Sequence, residues 1–485
     1  MAAIDELRGR LAELSDLAGL GSLASWDQQV MMPRAGAPAR AHQLAALERL
    51  AHELATADEL GDWLAQIEGT SERLSDLDRD IVRIARRDYD RRRCVSAELA
   101  GELAQAASAG QSAWREAREA SDFAAFAPAL RRNVELAREY AACFSDAPRA
   151  YDALLDDYDF GVPTERIQAL FSELADGLAP LFTELPQTQL LGAIAVPIEA
   201  QKAAVSATLK RVGVSDDRWR VDVSPHPFSD SLSRGDLRIT TRYSDEGVES
   251  LIAALHEFGH SLYEAQIAPE LERTNLGHGT SMSVHESQSK LWENHVARSP
   301  AFAPVLCEEL GRGGYSIGAG ELSAAVNQIC PSLIRVSADQ ITYPLHIILR
   351  FELELGLIEG DLDVDDLPGA WNDGMRRLLG IEVPEDRLGV LQDIHWAAGL
   401  FGYFPSYAVG CLIAAQLWQQ IETELGPQDA VLRNADVGGI REWLGERVHR
   451  YGRRLDTEPL VEQATGSGLD VQPFLAHARA LAGAA

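Results

Sequence analysis

The chain has 485 residues, 46% of them apolar and 24% charged, the make-up of a folded protein with a sizeable core and not of a disordered or fibrous chain. A formal net charge of −30 leaves no broad basic face, which argues against nucleic acid or an anionic membrane as partners. Five cysteines, Cys94, Cys143, Cys307, Cys330 and Cys411, are odd in number, widely spaced and without a CxxC pair, so neither a disulfide framework nor a thiolate metal site is expected and a reducing cytoplasm fits best.

At ~150 residues per domain the length allows several lobes or one large helical body. The opening MAAIDELRGRLAEL lacks the unbroken apolar run of an export signal and reads as a helix with Leu7, Leu11 and Leu14 on one face. Up to about residue 205, Leu, Ala, Glu and Arg recur at helical spacing, with turns marked by Pro33, Pro38, Gly161 and Pro163. Arg91, Arg92 and Arg93 follow Asp88 and Asp90 and read as a solvated helix face. Residues 214–245 alternate and are rich in Val, Ile, Thr and aromatic types, which predicts a small antiparallel sheet. Ser244 and Asp245 are suitable N-caps for a helix over 246–265. The rest is again mainly helical, broken at 311–320 and near Pro384, with Pro344 expected to kink or interrupt its helix. The longest apolar stretch, 407–418, is shorter than the ~20 residues that span a bilayer and reads as a buried helix. The expected fold is mainly α, a large helical body with one small sheet.

Within the 246–265 helix lies His256-Glu257-Phe258-Gly259-His260. Four helical residues turn through about 400°, so the two imidazoles emerge about 40° apart and one turn along the axis, suited to two corners of a tetrahedral metal site. Glu257 projects about 100° from His256, beside the site and not onto it, where a general base belongs. A third ligand is needed, and Glu264, Glu270, Glu272, His278, His285, Glu286 and Glu293 are downstream candidates. Glu264 is awkward because it lies two turns from His256 on the same straight helix. A second helix beginning near VHESQSKLWEN supplies the third ligand more easily, but spacing does not separate Glu286 from His285.

Several further motifs accompany this segment: the HPF of His226-Pro227-Phe228, the DxRxT of Asp236, Arg238 and Thr240, the HESQ beginning at His285, the IRxxAD of Ile334, Arg335, Ala338 and Asp339, and the GxxQDxHW of Gly389, Gln392, Asp393, His395 and Trp396. Together with WDQQVMMPRAG at Trp26 they occur in the order of the thermostable carboxypeptidase Taq family, which the chain resembles over essentially its whole length. The resemblance implies zinc ligands His256, His260 and Glu286, with Glu257 as the catalytic carboxylate. Cobalt is a conceivable substitute metal. It further implies one catalytic domain, with a helical part over about 1–205 and a metal-site part over about 206–485. A deep groove akin to that of the neurolysin group is also implied, as are peptide substrates with a free carboxyl terminus and a homodimer.

A carboxypeptidase must recognise the terminal carboxylate of its substrate, and a guanidinium does so with two parallel hydrogen bonds. Arg335 and Arg238 are the motif arginines; an internal pair with Asp339 or Asp236 is the competing reading of each. His395, Tyr403 and Tyr407 are candidate donors to the carbonyl oxygen as it gains charge, although each would also serve as a hydrogen-bonded core residue. His226, in a turn, is a candidate for limiting the end of the groove, with ordinary turn structure as the competing reading. The rival readings are an oligopeptidase cutting internal bonds and a helical scaffold with a structural zinc.

Overall fold

The computed structural model describes residues 2–69, 74–184, 194–244, 247–432 and 437–484. The amino-terminal part is helical: α1 (Ala2–Val30), α2 (Ala37–Thr56), α3 (Asp58–Glu68), α4 (Asp76–Cys94), α5 (Ala97–Ala120), α6 (Phe123–Ala141), α7 (Ala150–Leu155), α8 (Thr164–Glu184) and α9 (Ile198–Val212). Their starts follow from the sequence. Pro38 sits in the first turn of α2, where its missing N–H costs nothing. Ser75, Ser96 and Asp122 cap α4, α5 and α6 by accepting N–H bonds from Asp78, Leu99 and Ala125. Leu7 of α1, Leu64 of α3 and Ile81 of α4 are wholly buried in a small core of their own. The main core runs across residue 205 without a break, from Leu130 and Leu174 through Val205 to Leu255, Trp292 and Leu412. The arginine run is not uniformly solvated: Arg92 and Arg93 are exposed, but Arg91 reaches Asp156 Oδ2 at 3.0 Å and ties α4 to the loop after α7.

Three strands follow, β1 (Trp219–Val223), β2 (Ser229–Ser233) and β3 (Asp236–Thr241), in the spatial order β1-β3-β2. The sheet lies where alternation predicted it, but it is mixed and not antiparallel. β3 pairs antiparallel with β2 and parallel with β1, in register Val221 to Ile239. Alternation marks which residues are strands; strand order depends on the path of the chain between them, and here β3 inserts between β1 and β2.

Helix α10 (Glu249–Gln266) begins later than the cap residues suggest. Asp245 lies outside the described residues and Ser244 stands well before the first turn; the position before the helix is Val248, with no side-chain cap. Gly247 takes φ +76, and the Glu249 carboxylate occupies the space a Cβ there would need. After it come α11 (Met282–Lys290), a π-helical segment Leu291–Ala297, α12 (Ala303–Arg312), α13 (Ala319–Val326), α14 (Tyr343–Glu359), α15 (Leu367–Leu379) and α16 (Phe404–Leu425), and the chain is helical again over Gln472–Ala484. Pro344 does not kink α14. It occupies the first turn, where proline is tolerated, so the helix starts at the residue expected to interrupt it. The apolar stretch 407–418 forms the buried part of α16, and no described helix is long and apolar enough to cross a membrane.

Candidate metal centre and its groove

Helices α10 and α11 meet at Gly259. A Cβ there would lie 2.4 Å from the Gln288 carbonyl oxygen, so only glycine lets the two backbones approach this closely. On the far side of α11, Gly410 of α16 leaves room for Glu286, whose Cγ would be 2.7 Å from an added Cβ. Pressed between these two glycines, α11 turns Glu286 towards the histidines of α10. Nε2 of His260 and of His256 lie 3.5 and 3.8 Å from Glu286 Oε2. One donor atom from each of the three residues lies within 4.8 Å of the others, and two imidazoles with one carboxylate fit a divalent cation that keeps a further position open.

The electrostatics hold two of the three groups in the form a cation needs; at His256 burial lowers the imidazole, but Glu286 and Glu293 outweigh it and raise it. Burial raises the Glu286 carboxyl, but His256, His260 and Lys290 outweigh it and hold the group down to about 2. Burial pushes the His260 imidazole down to about 4, so its lone pair is free at neutral pH. Glu257 is 6% exposed and lines the groove, and burial pushes its carboxyl up to about 7.

Behind the donors stands a second row. His256 Nδ1 is 2.8 Å from Glu293 Oε2, and the same oxygen accepts from Lys290 Nζ at 2.8 Å. His260 Nδ1 is 2.7 Å from His285 Nδ1, and His285 Nε2 is 3.0 Å from Glu264 Oε1. Of the downstream candidates, the structure brings Glu286 to the two histidines and sets Glu264, His285 and Glu293 behind them. His278 is half-exposed beyond Glu264, and Glu270 and Glu272 are exposed outside the groove.

A groove of about 880 Å³ opens over these residues and is also lined by His226, Arg335, Tyr343, His395, Tyr403 and Tyr407. Arg335 is held from below. Its Nε and Nη2 donate to Asp393 Oδ1 at 3.1 and 2.9 Å, its Nη1 donates to the Tyr343 hydroxyl at 3.3 Å, and its backbone N–H donates to Gln392 Oε1 at 2.9 Å. The other Asp393 oxygen takes both Nε and Nη2 of the wholly buried Arg350. Asp339, the partner considered from sequence, instead accepts from the backbone N–H groups of Cys330, Ile341 and Thr342. Arg238 does not line the groove. Its fork is taken by Asp236 at 2.9 Å twice over and its face by the Trp26 ring at 4.2 Å, which is the internal reading of that residue.

His226 is exposed at the groove wall. Its turn is fixed by Thr240, the last residue of DxRxT, whose Oγ1 accepts from the Phe228 N–H at 2.9 Å, while Ser224 Oγ donates to the His226 carbonyl at 2.5 Å. Also lining the groove, His395 Nε2 is 3.3 Å from the Tyr407 hydroxyl, and Tyr403 packs edge-on against Tyr407. Burial pushes the His395 imidazole down to about 4 and both phenols up, so these groups face the groove uncharged. Sequence reasoning missed Lys290, Tyr343 and Arg350. Lys290 sits inside the HESQ helix, where its spacing of four from Glu286 was a usable signal; nothing local marked the other two.

Residues 6–481 match the family described as Carboxypeptidase Taq (M32) metallopeptidase. Thermostable carboxypeptidase 1 of Thermus thermophilus is 40% identical, over 98% of this chain and 97% of its own. Among solved structures, the M32 carboxypeptidase of Deinococcus radiodurans superposes with a TM-score of 0.94 at 34% identity, covering 100% of this chain and 99% of that one. A structure of the Pyrococcus furiosus carboxypeptidase gives 0.95 at 32% identity, each chain 99% covered. A match that runs almost from end to end in both sequence and backbone carries the whole architecture, and the chain therefore belongs to the carboxypeptidase Taq (M32) metallopeptidase family and is a metal-dependent carboxypeptidase, a peptide hydrolase.

Proposed function

We propose that the chain is a zinc carboxypeptidase that removes single residues from the free carboxyl end of peptides, with His256, His260 and Glu286 holding the cation and Glu257 handling the proton. The observation that carries this reading is the convergence of three ligand-type atoms within 4.8 Å beside a buried carboxylate, in a groove that also contains a guanidinium. Bound there, zinc supplies Lewis acidity, which acidifies water and polarises a scissile carbonyl; cobalt has similar ligand preferences and is the expected substitute.

The chain's own groups do the rest. Glu257 takes a proton from the attacking water and hands it to the leaving amine, a role that suits a carboxyl whose burial brings it near neutrality. Arg335, oriented by Asp393, binds the terminal carboxylate with the N–H bonds it does not spend inside the protein. His395, Tyr403 and Tyr407 are uncharged donors for the carbonyl oxygen as it becomes an oxyanion. His226 closes one end of the groove.

We also infer a single catalytic domain over the whole chain, a cytoplasmic location supported by five free cysteines, and a homodimer suggested by family resemblance, for which sedimentation is the check. The central test is release of free amino acids from a peptide ladder, from free-acid and amidated ends, with and without a chelator. Loss of activity on chelation, return with zinc and inertness of the amide support the reading. Internal cleavage of the amidated peptide would replace it with an oligopeptidase.

A further inference from the structure

The two histidines of the metal centre are backed by different chemistry. His256 Nδ1 meets a carboxylate oxygen of Glu293 at 2.8 Å, a common arrangement for an imidazole that binds metal. His260 Nδ1 instead meets the Nδ1 of a second imidazole, His285, at 2.7 Å, and only beyond it, 3.0 Å from His285 Nε2, stands the carboxylate of Glu264. When a cation takes Nε2 of His260, the nitrogen turned towards Glu286, one order of protons satisfies the chain with His285 neutral. The His260 proton then sits on Nδ1 and is donated to His285. His285 must then accept with a bare Nδ1, carry its own proton on Nε2 and donate that to Glu264. Glu264 is itself fixed, since the same oxygen accepts the Gly279 N–H at 2.9 Å.

The intermediate ring has little freedom. Tyr263 packs against His285 with ring centroids 5.2 Å apart, and a Cβ on Gly279 would come within 2.7 Å of its Cδ2. His285 is also outside the donor cluster, which comprises His256, His260 and Glu286.

We propose that His285 and Glu264 are positioning residues that hold His260 in the Nδ1-protonated tautomer, aim its Nε2 at the metal position, and thereby set the affinity of the centre for its cation. The proposal rests on the ligand assignment made above. It gives His285 a part that spacing alone did not offer, neither ligand nor bystander. Because the charge of Glu264 reaches His260 only through an imidazole, changes at Glu264 have a smaller effect than changes at His285.

The test uses the full chain stripped of metal and titrated with zinc against a competing chelator, with the melting temperature of the stripped protein measured alongside. His285→Ala weakens zinc binding by about 10–100-fold, and Glu264→Gln by less. His285→Gln, whose amide offers both an acceptor and a donor, recovers most of the loss, and stripped His285→Gln melts close to the parent. Parent-like affinity in His285→Ala overturns the proposal. So does a loss in His285→Gln as large as in His285→Ala, since hydrogen bonding would then not be what matters. Glu286→Ala run in parallel separates the two levels: if it binds zinc as the parent does, the ligand assignment is wrong and the relay falls with it.

Discussion

Arg335 and Asp393, 58 residues apart in sequence, meet in a two-point pair in which one carboxylate oxygen accepts from both Nε and Nη2 of the guanidinium. The other oxygen is occupied by Arg350, so Asp393 stands between two arginines, and only Arg335 lines the groove. A guanidinium held along one edge presents its remaining N–H bonds in a fixed direction, as recognition of a terminal carboxylate requires.

Replacing Arg335 by Ala should therefore lower kcat/KM for free-acid peptides by roughly tenfold to a hundredfold, the equivalent of about 1.5–3 kcal/mol for a charge-assisted contact. Lys should recover only part, because an ammonium keeps the charge and loses the planar fork. Arg238→Ala is the control: with its fork on Asp236 and its face on Trp26, it should leave the preference for acid over amide where it was. The measurement is kcat/KM for a free-acid peptide and its amide in each variant. A preference that survives in Arg335→Ala but collapses in Arg238→Ala would move the role to Arg238.

Glu257→Gln should keep the cation and lose turnover. The amide has nearly the same shape in a site only 6% exposed, but it cannot accept the proton that the water must give up. Metal content by elemental analysis should match the parent while peptide hydrolysis falls by at least about a hundredfold, the scale of general-base contributions. Near-parental hydrolysis would mean that another group takes the proton.

Gly410 and Gly259 give a test of how Glu286, the proposed third ligand, is placed. A methyl group at Gly410 would overlap Cβ and Cγ of Glu286, atoms too close to the α11 backbone to swing aside. Gly410→Ala should accordingly cut metal affinity with a smaller effect on folding. Gly259→Ala presses on main-chain atoms of Gln288 and Ser289, and overpacking that forces such backbone shifts typically costs about 1–3 kcal/mol of stability. Metal titration and chemical denaturation of the two variants check the contrast; equal metal affinity in parent and Gly410→Ala would show that Glu286 has room to move.

What the sequence made legible divides along physical lines. Period 3.6 and 2.0 patterns are local, so the helices, the position of the small sheet and the pairing of His256 with His260 on one face could all be read directly. Contacts between distant segments could not. Nothing local told that β3 inserts between β1 and β2, that Asp393 and not Asp339 holds Arg335, or that Thr240 pins the turn at Phe228. The choice of Glu286 over His285 came from family resemblance, since both lie at the start of α11 and only its crossing angle on α10 decides which faces forward. Pro344 and Ser244 were misread for a different reason: a helix-breaking residue and a capping residue look alike in sequence wherever a helix begins, and the true start depends on how the preceding loop packs.

A buried carboxyl away from the metal centre offers a prediction about pH. Glu354 on α14 is wholly buried, accepts the Gly402 N–H at the foot of the loop before Tyr403, and lies beside Tyr151 and Trp396. Burial pushes its carboxyl up to about 8 from an ordinary value of 4.5. The folded chain thus keeps a proton there that the unfolded chain releases above pH 4.5. The stabilisation is fully present below that pH, declines as pH rises, and is gone once pH passes about 8; its size is on the order of a few kcal/mol. Glu354→Gln removes the titration while keeping an acceptor for Gly402. At pH 5 the variant should be the less stable protein, because with its oxygen on Gly402 the Gln NH2 sets donor hydrogens beside the Trp396 N–H, itself a buried donor without a hydrogen-bond partner among the described residues, where the parent has a carboxyl oxygen. Towards pH 8 the parent loses that advantage and the variant does not, so the difference between their denaturation free energies should shrink or reverse. Chemical denaturation of both proteins at pH 5, 6.5 and 8 checks this, and two curves that run parallel across the series would place the Glu354 carboxyl at an ordinary value in the folded state.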